Sequence, residues 1–387
     1  MARTAFVSTY PPRRCGIATF TSDLGRVMGD REIVAIHPPE QAAPYPLEVH
    51  HRIRRDEPGD YTRTARSLGG CVDVVAIQHE YGIWGDHDGE AVLDFVRSLE
   101  VPAIATLHTV LQEPTPRQRA ILVELAKSVR ATVVMSQSAA ILLTSAYGVD
   151  PSGIQIIPHG VPDLPMVRSE TTKAAVGLAG RDVILSFGLL GPDKGYELAL
   201  EALPAVVAEH PAACYAIVGA THPDLVRLDG ETYRASLIDL VKRLGLTDHV
   251  RFVDRFVGRV ELTRWLEAAD MFVTPYPNLD QIVSGTLSYA MGAGRAVVST
   301  PYTYAAELLA DGRGLLVPPG SPEALAAALN SLLEDDELRG AIGQRAYEYT
   351  RRMVWSEVGA EYRRLLARVA ANLHIPQSPT QLVAVTA

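Results

Sequence analysis

Short, β-rich apolar segments alternate with longer segments of helical apolar spacing along most of this 387-residue chain. Most of the short segments are continuous apolar runs, as at 103–107 and 183–188, rather than alternations of apolar and polar residues. Continuous runs are typical of parallel strands buried on both faces, and the longer segments have the length of the crossover helices that such strands require. The pattern predicts an α/β protein with two doubly wound parallel sheets, one in each half of the chain.

The polar stretch 162–182 separates the two patterns. It is interrupted by Pro162, Pro165 and Gly180 and contains no strand-like run, so it is predicted to connect two domains. The expected division is an N-terminal domain at 1–165, a linker at 166–181, a C-terminal domain at 182–354, a C-terminal helix at 355–373 and a loose tail at 374–387. Because open parallel sheets bind ligands at the carboxyl ends of their strands, the two sheets are expected to face a common cleft.

Composition excludes several classes of function. The net charge of −9 argues against a broad contact with a nucleic-acid backbone. The three cysteines have no C-x-x-C spacing, so neither a disulfide framework nor a structural zinc site is expected. No apolar run approaches the ~18 residues that a membrane-spanning helix needs, and the N-terminus lacks the apolar core of a signal peptide. We expect a soluble, cytoplasmic protein that binds no nucleic acid.

Several candidate binding residues lie where predicted strands end and helices begin. Gly16 follows the first strand in a turn that opens a helix, and the Ser-Gly-Thr segment 284–286 opens another. Free backbone N–H groups and the positive end of the helix dipole make such turns natural anion sites. Lys194, just before a helix start, adds an ammonium group suited to phosphate oxygens. An ordinary turn, a capped helix start and a surface lysine are the alternatives that the sequence leaves open.

Two histidines, His108 and His159, stand at the carboxyl ends of predicted strands. A side chain in that position points toward the crevice rather than the core, although a structural histidine with satisfied hydrogen bonds is the alternative. Segment 188–195 lacks the register of a P-loop. Asp86-His87-Asp88 has the D-x-D form that holds a divalent cation in some enzymes, but its glycine neighbours favour a solvated turn. No metal or other cofactor is expected.

Taken together, these loops resemble the GT-B glycosyltransferases of the large retaining family 4. The resemblance extends from Ala5 to about Val369. Its carriers are, in chain order, the turn at Gly16, Thr-Leu-His at 106–108, Ile-Pro-His-Gly-Val at 157–161, the loop 188–195, Ala-Asp-Met-Phe-Val-Thr-Pro at 269–275, and the blocks 290–298 and 307–320. It implies two Rossmann-like domains around a central cleft, and a C-terminal helix that packs back on the N-terminal domain.

The resemblance also implies an activity and site residues. The activity is metal-independent transfer of a hexosyl group from a nucleoside diphosphate sugar, bound by the C-terminal domain, to a hydroxyl of a sugar or glycoside acceptor, with retention. His108 would lie by the reacting centre, with Lys194 and Asp280 supplying charge there. The implied donor-binding positions are Gly16, His159, Gly188, Leu189, Gln281, Ser284, Gly285, Thr286, Leu287 and Tyr289. A homodimer is left open.

Three positions depart from the family pattern. Leu189 stands where members usually carry an arginine that meets the diphosphate. Gln281 and Tyr289 stand at the positions of the usual pair of glutamates, which have seven residues between them, and this makes the chain an atypical member. A tyrosine cannot accept hydrogen bonds from two ribose hydroxyls as a carboxylate does. The alternatives are therefore a glycoside phosphorylase, a transferase that uses a sugar phosphate, or a catalytically weak homologue kept for binding.

Overall fold

The computed structural model describes residues 2–39, 43–167 and 170–376, and these form two compact units. The first unit contains the residues up to Gly160 and those from Trp355 onward, and the second is Val161–Val354. The second unit begins at Val161 rather than at the expected domain boundary, 165. The Val161 N–H donates to the Met353 carbonyl (2.8 Å) and Val161 forms a parallel bridge with Val354, so its main chain is bonded to the second unit. Of the expected tail, residues 377–387 lie outside the described residues.

The first unit contains a parallel sheet of order β3-β2-β1-β4-β5-β6-β7. Its strands are β1 (Thr4–Ser8), β2 (Arg31–His37), β3 (Val49–Arg54), β4 (Val74–His79), β5 (Ala103–Leu107), β6 (Ala131–Val134) and β7 (Ile154–Ile156). Its helices, in chain order, are α1 (Gly16–Val27), α2 (Pro58–Ser67), α3 (Ala91–Arg97), α4 (Pro116–Ser128) and α5 (Gln137–Ser145). Strand β1 is buried along its whole length, and its three central residues are apolar.

The second unit contains a parallel sheet of order β10-β9-β8-β11-β12-β13. Its strands are β8 (Asp182–Phe187), β9 (Ala213–Val218), β10 (Val250–Val253), β11 (Met271–Thr274), β12 (Ala296–Ser299) and β13 (Leu315–Leu316). Its helices are α6 (Glu170–Ala175), α7 (Tyr196–Glu209), α8 (Pro223–Asp229), α9 (Thr232–Arg243), α10 (Arg259–Ala268), α11 (Gly285–Gly292), α12 (Thr303–Leu308), α13 (Pro322–Glu334) and α14 (Asp336–Thr350). Val183 and Leu185 face one apolar cluster and Ile184 faces the other, so both faces of the sheet are covered.

Part of the expected linker is a structured element of the second unit. Helix α6 lies within it, and the Lys173 ammonium of α6 contacts the Asp270 carboxylate at 2.8 Å, both side chains being nearly buried. The same ammonium donates to the Arg181 carbonyl at 2.8 Å. Because a buried charge is stable only when it is paired and hydrogen-bonded, these contacts tie the segment to the strands it precedes.

The final helix, α15 (Trp355–Ala370), packs on the first unit. Its apolar residues recur at helical spacing and are buried, among them Trp355, Val358, Tyr362 and Leu366. The Tyr362 hydroxyl forms a 3.0 Å hydrogen bond with Thr106 Oγ1 on β5. No described helix is both long enough and apolar enough to cross a membrane. The expected cytoplasmic location stays a prediction.

The structure contains elements of the first unit that the sequence pattern did not predict. Strand β3 has the sequence Val-His-His-Arg-Ile-Arg and lies at the edge of the sheet, so only alternate residues are buried. Helix α2 follows it and buries mainly polar or small side chains. Neither has the continuous apolar run or the strong apolar stripe that identifies elements of a parallel sheet from sequence.

Candidate functional site

In the second unit, the loop after β8 and the loop after β11 lie in close contact at the carboxyl ends of these neighbouring strands. Gly195, which precedes α7, has φ 63°, and a Cβ there would lie 2.1 Å from the carbonyl oxygen of Pro275, just after β11. Gly188, which follows β8, has φ 134°, and a Cβ there would lie 3.4 Å from Thr286 Cγ2 at the start of α11. Glycine therefore permits the close approach of the loop after β8 to the loop after β11.

This approach gathers polar side chains at the start of α11. The Lys194 ammonium lies 4.5 Å from the centroid of the Tyr276 ring. The Tyr276 hydroxyl forms a 3.0 Å hydrogen bond with Thr286 Oγ1, which is also 3.1 Å from Ser284 Oγ. We call Lys194, Tyr276, Ser284 and Thr286 the Lys194 cluster. Of these residues, the sequence did not point to Tyr276, although its place directly after a buried strand was a usable signal.

The Lys194 cluster contains a charged ammonium group and the N-terminus of a helix. Burial by itself lowers the pKa of the Lys194 ammonium, but Tyr276 and the Asp193 carboxylate, 2.8 Å away, raise that pKa above its usual value, so the group is charged at neutral pH. Ser284 is the N-cap of α11 and its Oγ accepts a hydrogen bond from the Leu287 N–H at 3.3 Å. The remaining amides of the first turn have no carbonyl partner within the helix and carry the positive end of its dipole.

The other expected site residues of the second unit have different environments. Asp280 is exposed. Gln281 is half-buried, and its amide donates to the Val283 carbonyl at 2.8 Å, which closes its own loop. Leu287 (0% exposed) and Tyr289 (6% exposed) are members of the apolar core. Leu189 is half-buried and offers no charge in place of the family arginine.

In the first unit, His108 follows β5 and is buried. Its Nε2 lies 2.8 Å from the Gln78 amide oxygen on β4. Its ring meets the ring of Phe20, on α1, edge to face at 4.9 Å. Burial, with smaller contributions from the neighbouring His159 and His79, lowers the pKa of His108 to about 3, so the imidazole is neutral at physiological pH.

His159 shares the Phe20 ring with His108. The two rings of His159 and Phe20 are 5.2 Å apart, and Trp355 contacts Phe20 at 5.3 Å. His159 Nδ1 donates to the Gly160 carbonyl at 2.8 Å, and burial lowers the pKa of His159 to about 4. The two histidines expected from the sequence are therefore brought together around one aromatic side chain.

Gly16 is the first residue of α1 and is exposed. Among the described residues, no atom lies within 4 Å of a Cβ built at Gly16, so space for a ligand adjoins the helix start. Cys15 is the N-cap: its Sγ accepts from the Ala18 N–H at 3.3 Å and lies 3.3 Å from Thr9 Oγ1. The sequence did not identify this cysteine cap.

A cavity of about 390 Å³ opens beside the loops that follow β3 and β4. Its lining residues are Arg55, Asp56, Tyr81, Gly82, Trp84, Gly85, Asp86 and Asp88. Trp84 is buried, stacks on Tyr61 and donates its indole N–H to the Gln78 carbonyl at 3.0 Å, so it forms a wall of the cavity. The D-x-D segment therefore borders a cavity at the ligand-binding edge of the sheet.

Two family models match the chain in succession. The model described as "Glycosyltransferase Family 4" matches residues 16–163, and "Glycosyl transferases group 1" matches residues 169–349. Two units, each with a Rossmann-like parallel sheet, define the GT-B class of fold, which confirms the expected fold class. The chain belongs to glycosyltransferase family 4, a family of hexosyl-transferring enzymes.

Curated relatives are similar over part of their length. A D-inositol 3-phosphate glycosyltransferase of Kineococcus radiotolerans is 31% identical over 235 residues, which are 55% of this chain and 51% of the relative. A phosphatidyl-myo-inositol mannosyltransferase of Mycolicibacterium smegmatis is 29% identical over 285 residues, which are 71% of this chain and 67% of the relative. The chain thus spans about half the length of the first relative and two thirds of the second.

Solved structures share the fold across nearly the whole chain. Anabaena Alr3699/HepE in complex with UDP and glucose superposes with a TM-score of 0.77, covering 95% of this chain and 100% of that one at 17% identity. WaaG, a glycosyltransferase involved in lipopolysaccharide biosynthesis, superposes with a TM-score of 0.68, covering 94% and 99% at 18% identity. At these identities the likeness shows the fold alone.

Proposed function

We propose that this chain is a retaining hexosyltransferase that moves a sugar from a nucleoside diphosphate sugar to an acceptor hydroxyl and needs no metal ion. The single observation that carries the proposal is the Lys194 cluster, in which three hydroxyls meet at the N-terminus of α11 and a charged ammonium group lies over the ring of Tyr276, which supplies one of them. Such a group of donors suits a diphosphate. A nucleoside diphosphate is also the ligand named for the Anabaena neighbour.

The proposed reaction requires that the departing diphosphate be stabilised while positive charge develops on the sugar. Donors that are already oriented toward the place where charge develops lower this barrier most. In the proposal, Lys194 and the first turn of α11 hold the leaving phosphate. A phosphate oxygen of the leaving group takes the proton of the acceptor hydroxyl, which then attacks from the same face of the sugar and retains its configuration.

His108 has a different part in this proposal. Because its imidazole is neutral at physiological pH, it is not a proton donor there, but it can accept a hydrogen bond from a sugar hydroxyl. The proposed acceptor is a sugar, glycoside or related polyol, in line with the inositol derivatives named for the relatives. The cavity bordered by Asp86 and Asp88 offers carboxylate acceptors for such hydroxyls. The cleft that would join donor and acceptor groups stays a prediction.

One observation favours a second candidate, a phosphorylase or a transferase that uses a sugar phosphate. Tyr289 is 6% exposed and packs in the apolar core, so its position offers no carboxylate to a ribose. The Lys194 cluster would serve inorganic phosphate or a sugar phosphate as well as a diphosphate. The loss of the ribose-binding glutamate is thus explained if the ligand has no ribose.

Calorimetric titration of the full chain with UDP, GDP, ADP and inorganic phosphate separates the candidates. Binding of one nucleoside diphosphate well above phosphate supports the nucleotide-sugar reaction. Binding of phosphate alone supports the second candidate. If none of the four ligands binds, the chain is a catalytically weak homologue and both enzymatic proposals are wrong.

A further inference from the structure

Gln78 and its neighbour His79 are the two polar residues of the fully buried strand β4. Gln78 lies near the end of β4 and is 0% exposed. Its strand partner on β5 is Thr106, so the two side chains share one face of the sheet. His108, two residues beyond Thr106, lies on that face too, and its Nε2 is 2.8 Å from Gln78 Oε1. Burying an amide is unfavourable unless its hydrogen bonds are made, so this residue requires an explanation.

The bond to Gln78 determines which nitrogen of His108 carries the proton. A neutral imidazole has one N–H donor and one nitrogen with a lone pair. In the structure the Gln78 amide turns its oxygen toward His108, and because that oxygen can only accept, Nε2 is the donor and Nδ1 carries the lone pair. Among the residues that the structure describes, Nδ1 of His108 has no hydrogen-bond partner and stays available to a ligand.

The backbone at Gln78 is held in place, because its main-chain carbonyl accepts the indole N–H of Trp84 at 3.0 Å, and Trp84 forms a wall of the cavity beside β3 and β4. The side-chain Nε2 of Gln78 is buried and has no partner among the described residues, so the bond to His108 is the one that orients this amide. On its other side the His108 ring is fixed by the edge-to-face contact with Phe20, with ring planes at 89°. The orientation of the imidazole is therefore determined from two sides by buried neighbours.

An amide also differs chemically from a carboxylate at this position. A carboxylate facing an imidazole favours the charged imidazolium, which has no lone pair to offer, whereas an amide leaves the ring neutral. A glutamine therefore keeps His108 as a hydrogen-bond acceptor at physiological pH.

We propose that Gln78 is a positioning residue that fixes the Nε2–H tautomer of His108, so that Nδ1 accepts a hydrogen bond from a hydroxyl of the bound sugar or acceptor. The effect on turnover rests on the proposed glycosyl transfer, whereas the tautomer does not. Gln78 acts through His108 and does not itself touch the reacting atoms.

The tautomer is measured directly by ¹⁵N NMR of the full chain labelled at histidine. The His108 signals are assigned by their loss in His108→Gln. We expect a protonated Nε2 and an unprotonated Nδ1 at pH 7.5. In Gln78→Glu the pKa of His108 should be higher by about one unit or more, because a carboxylate then faces the ring and favours the imidazolium. A protonated Nδ1 in the unsubstituted chain would overturn the proposal, since the Gln78 amide would then be oriented the other way.

Turnover tests the functional part. Gln78→Met should lower kcat by about 10-fold or more with the donor KM unchanged, because the catalytic hydrogen bond is made only by a correctly oriented ring. Thr106→Val is the matched control: it removes a buried hydrogen bond, to Tyr362, on the same face of the sheet. Wild-type kcat in Gln78→Met, or an equal loss in Thr106→Val, would overturn the proposal. If the unsubstituted chain transfers no sugar from any nucleotide donor, the proposed function fails, while the NMR result still decides the tautomer.

Discussion

The Lys194 ammonium lies over the face of the Tyr276 ring, 4.5 Å from its centroid, while the hydroxyl of that ring bonds to Thr286. One aromatic side chain thus connects a cation after β8 to the first turn of α11. Tyr276 also stacks on Tyr302 at 5.0 Å, which fixes its plane. The geometry gives the Lys194 cluster a defined arrangement, and it leads to predictions about three of its members.

Removing the Lys194 ammonium should weaken diphosphate binding. We expect Lys194→Ala to raise the Kd for the best nucleoside diphosphate by about 10- to 100-fold, the scale of a hydrogen bond to a charged group. Calorimetric titration measures the change. Lys242→Ala, which removes an exposed lysine paired with Asp239, is the control and should leave the Kd unchanged. Equal affinities for the two variants would show that Lys194 is only a surface cation.

Tyr276 should contribute through its ring more than through its hydroxyl. Tyr276→Leu removes the face on which the ammonium lies and should weaken diphosphate binding by about 2- to 30-fold, the range of a cation–π contact. Tyr276→Phe keeps the ring and should have the smaller effect. Tyr349→Leu removes a comparable contact, with Arg313 at 4.1 Å, and should not change the affinity. If Tyr276→Phe weakened diphosphate binding more than Tyr276→Leu, the ring would not be the part of Tyr276 that matters.

Ser284 should act both as a helix cap and as part of the anion site. Ser284→Ala should reduce the free energy of unfolding by about 1 kcal/mol, because the Leu287 N–H loses its partner, and should also weaken diphosphate binding. Ser321→Ala removes the cap of α13, where Ser321 Oγ accepts from the Ala324 N–H, and should destabilise to a similar extent without changing binding. Urea unfolding and titration report the two effects. Unaltered binding in Ser284→Ala would limit Ser284 to capping.

His108 should matter for turnover and not for diphosphate binding. In His108→Ala we expect the diphosphate Kd to stay within about 2-fold of wild type while kcat falls by about 100-fold, the scale of removing one oriented hydrogen-bonding group at the reacting centre. His50→Ala, an exposed histidine paired with Glu32 in the same unit, is the control and should retain wild-type kcat. Wild-type turnover in His108→Ala would remove His108 from the site.

Buried histidines should make the chain less stable in mild acid. His79 is 0% exposed, neither ring nitrogen has a partner among the described residues, and burial lowers its pKa to about 4. The unfolded chain, with a histidine pKa near 6.5, therefore binds more protons than the folded one between about pH 6.5 and pH 4. The contribution of neutral His79 to the free energy of unfolding is fully present above pH 6.5 and is lost as the pH falls toward 4.

The histidine effect can be isolated by substitution. Between pH 7.5 and pH 5.0, the free energy of unfolding of His79→Leu should fall by about 2 kcal/mol less than that of the unsubstituted chain. His222→Gln, which replaces a half-exposed histidine, should keep the full decrease. Urea unfolding at several pH values gives the comparison. If the pH dependence of His79→Leu equals that of the unsubstituted chain, His79 is not responsible.

The positions of most strands along the chain were predictable, because parallel strands that are buried on both faces have few polar residues. Strand β11 illustrates this, since it is fully buried and three of its four residues are apolar. Strand β3 was missed because it lies at the edge, where alternate polar residues are tolerated. A sequence pattern identifies a strand by the apolar residues that burial requires. An edge strand is less buried and therefore has fewer of them.

Within the sites, the sequence identified residues at strand ends but not their partners. Lys194 and Thr286 could be placed from their loops, yet Tyr276, which contacts both, gave no motif. The pairing of Gln78 with His108 was likewise missed, because the bond crosses between neighbouring strands and joins residues that are 30 positions apart in the chain. Such partners depend on which side chains face each other across a sheet, and that is decided by register rather than by local composition.

The first unit is assembled from both ends of the chain, since α15 packs on α1 and the Tyr362 hydroxyl bonds to Thr106. During synthesis, all residues of the second unit leave the ribosome before Trp355 does. A nascent chain arrested ahead of that tryptophan would hold every strand of both sheets, yet the aromatic cluster around Phe20 would lack one of its rings. The unit that is translated first is therefore the one whose core is completed last.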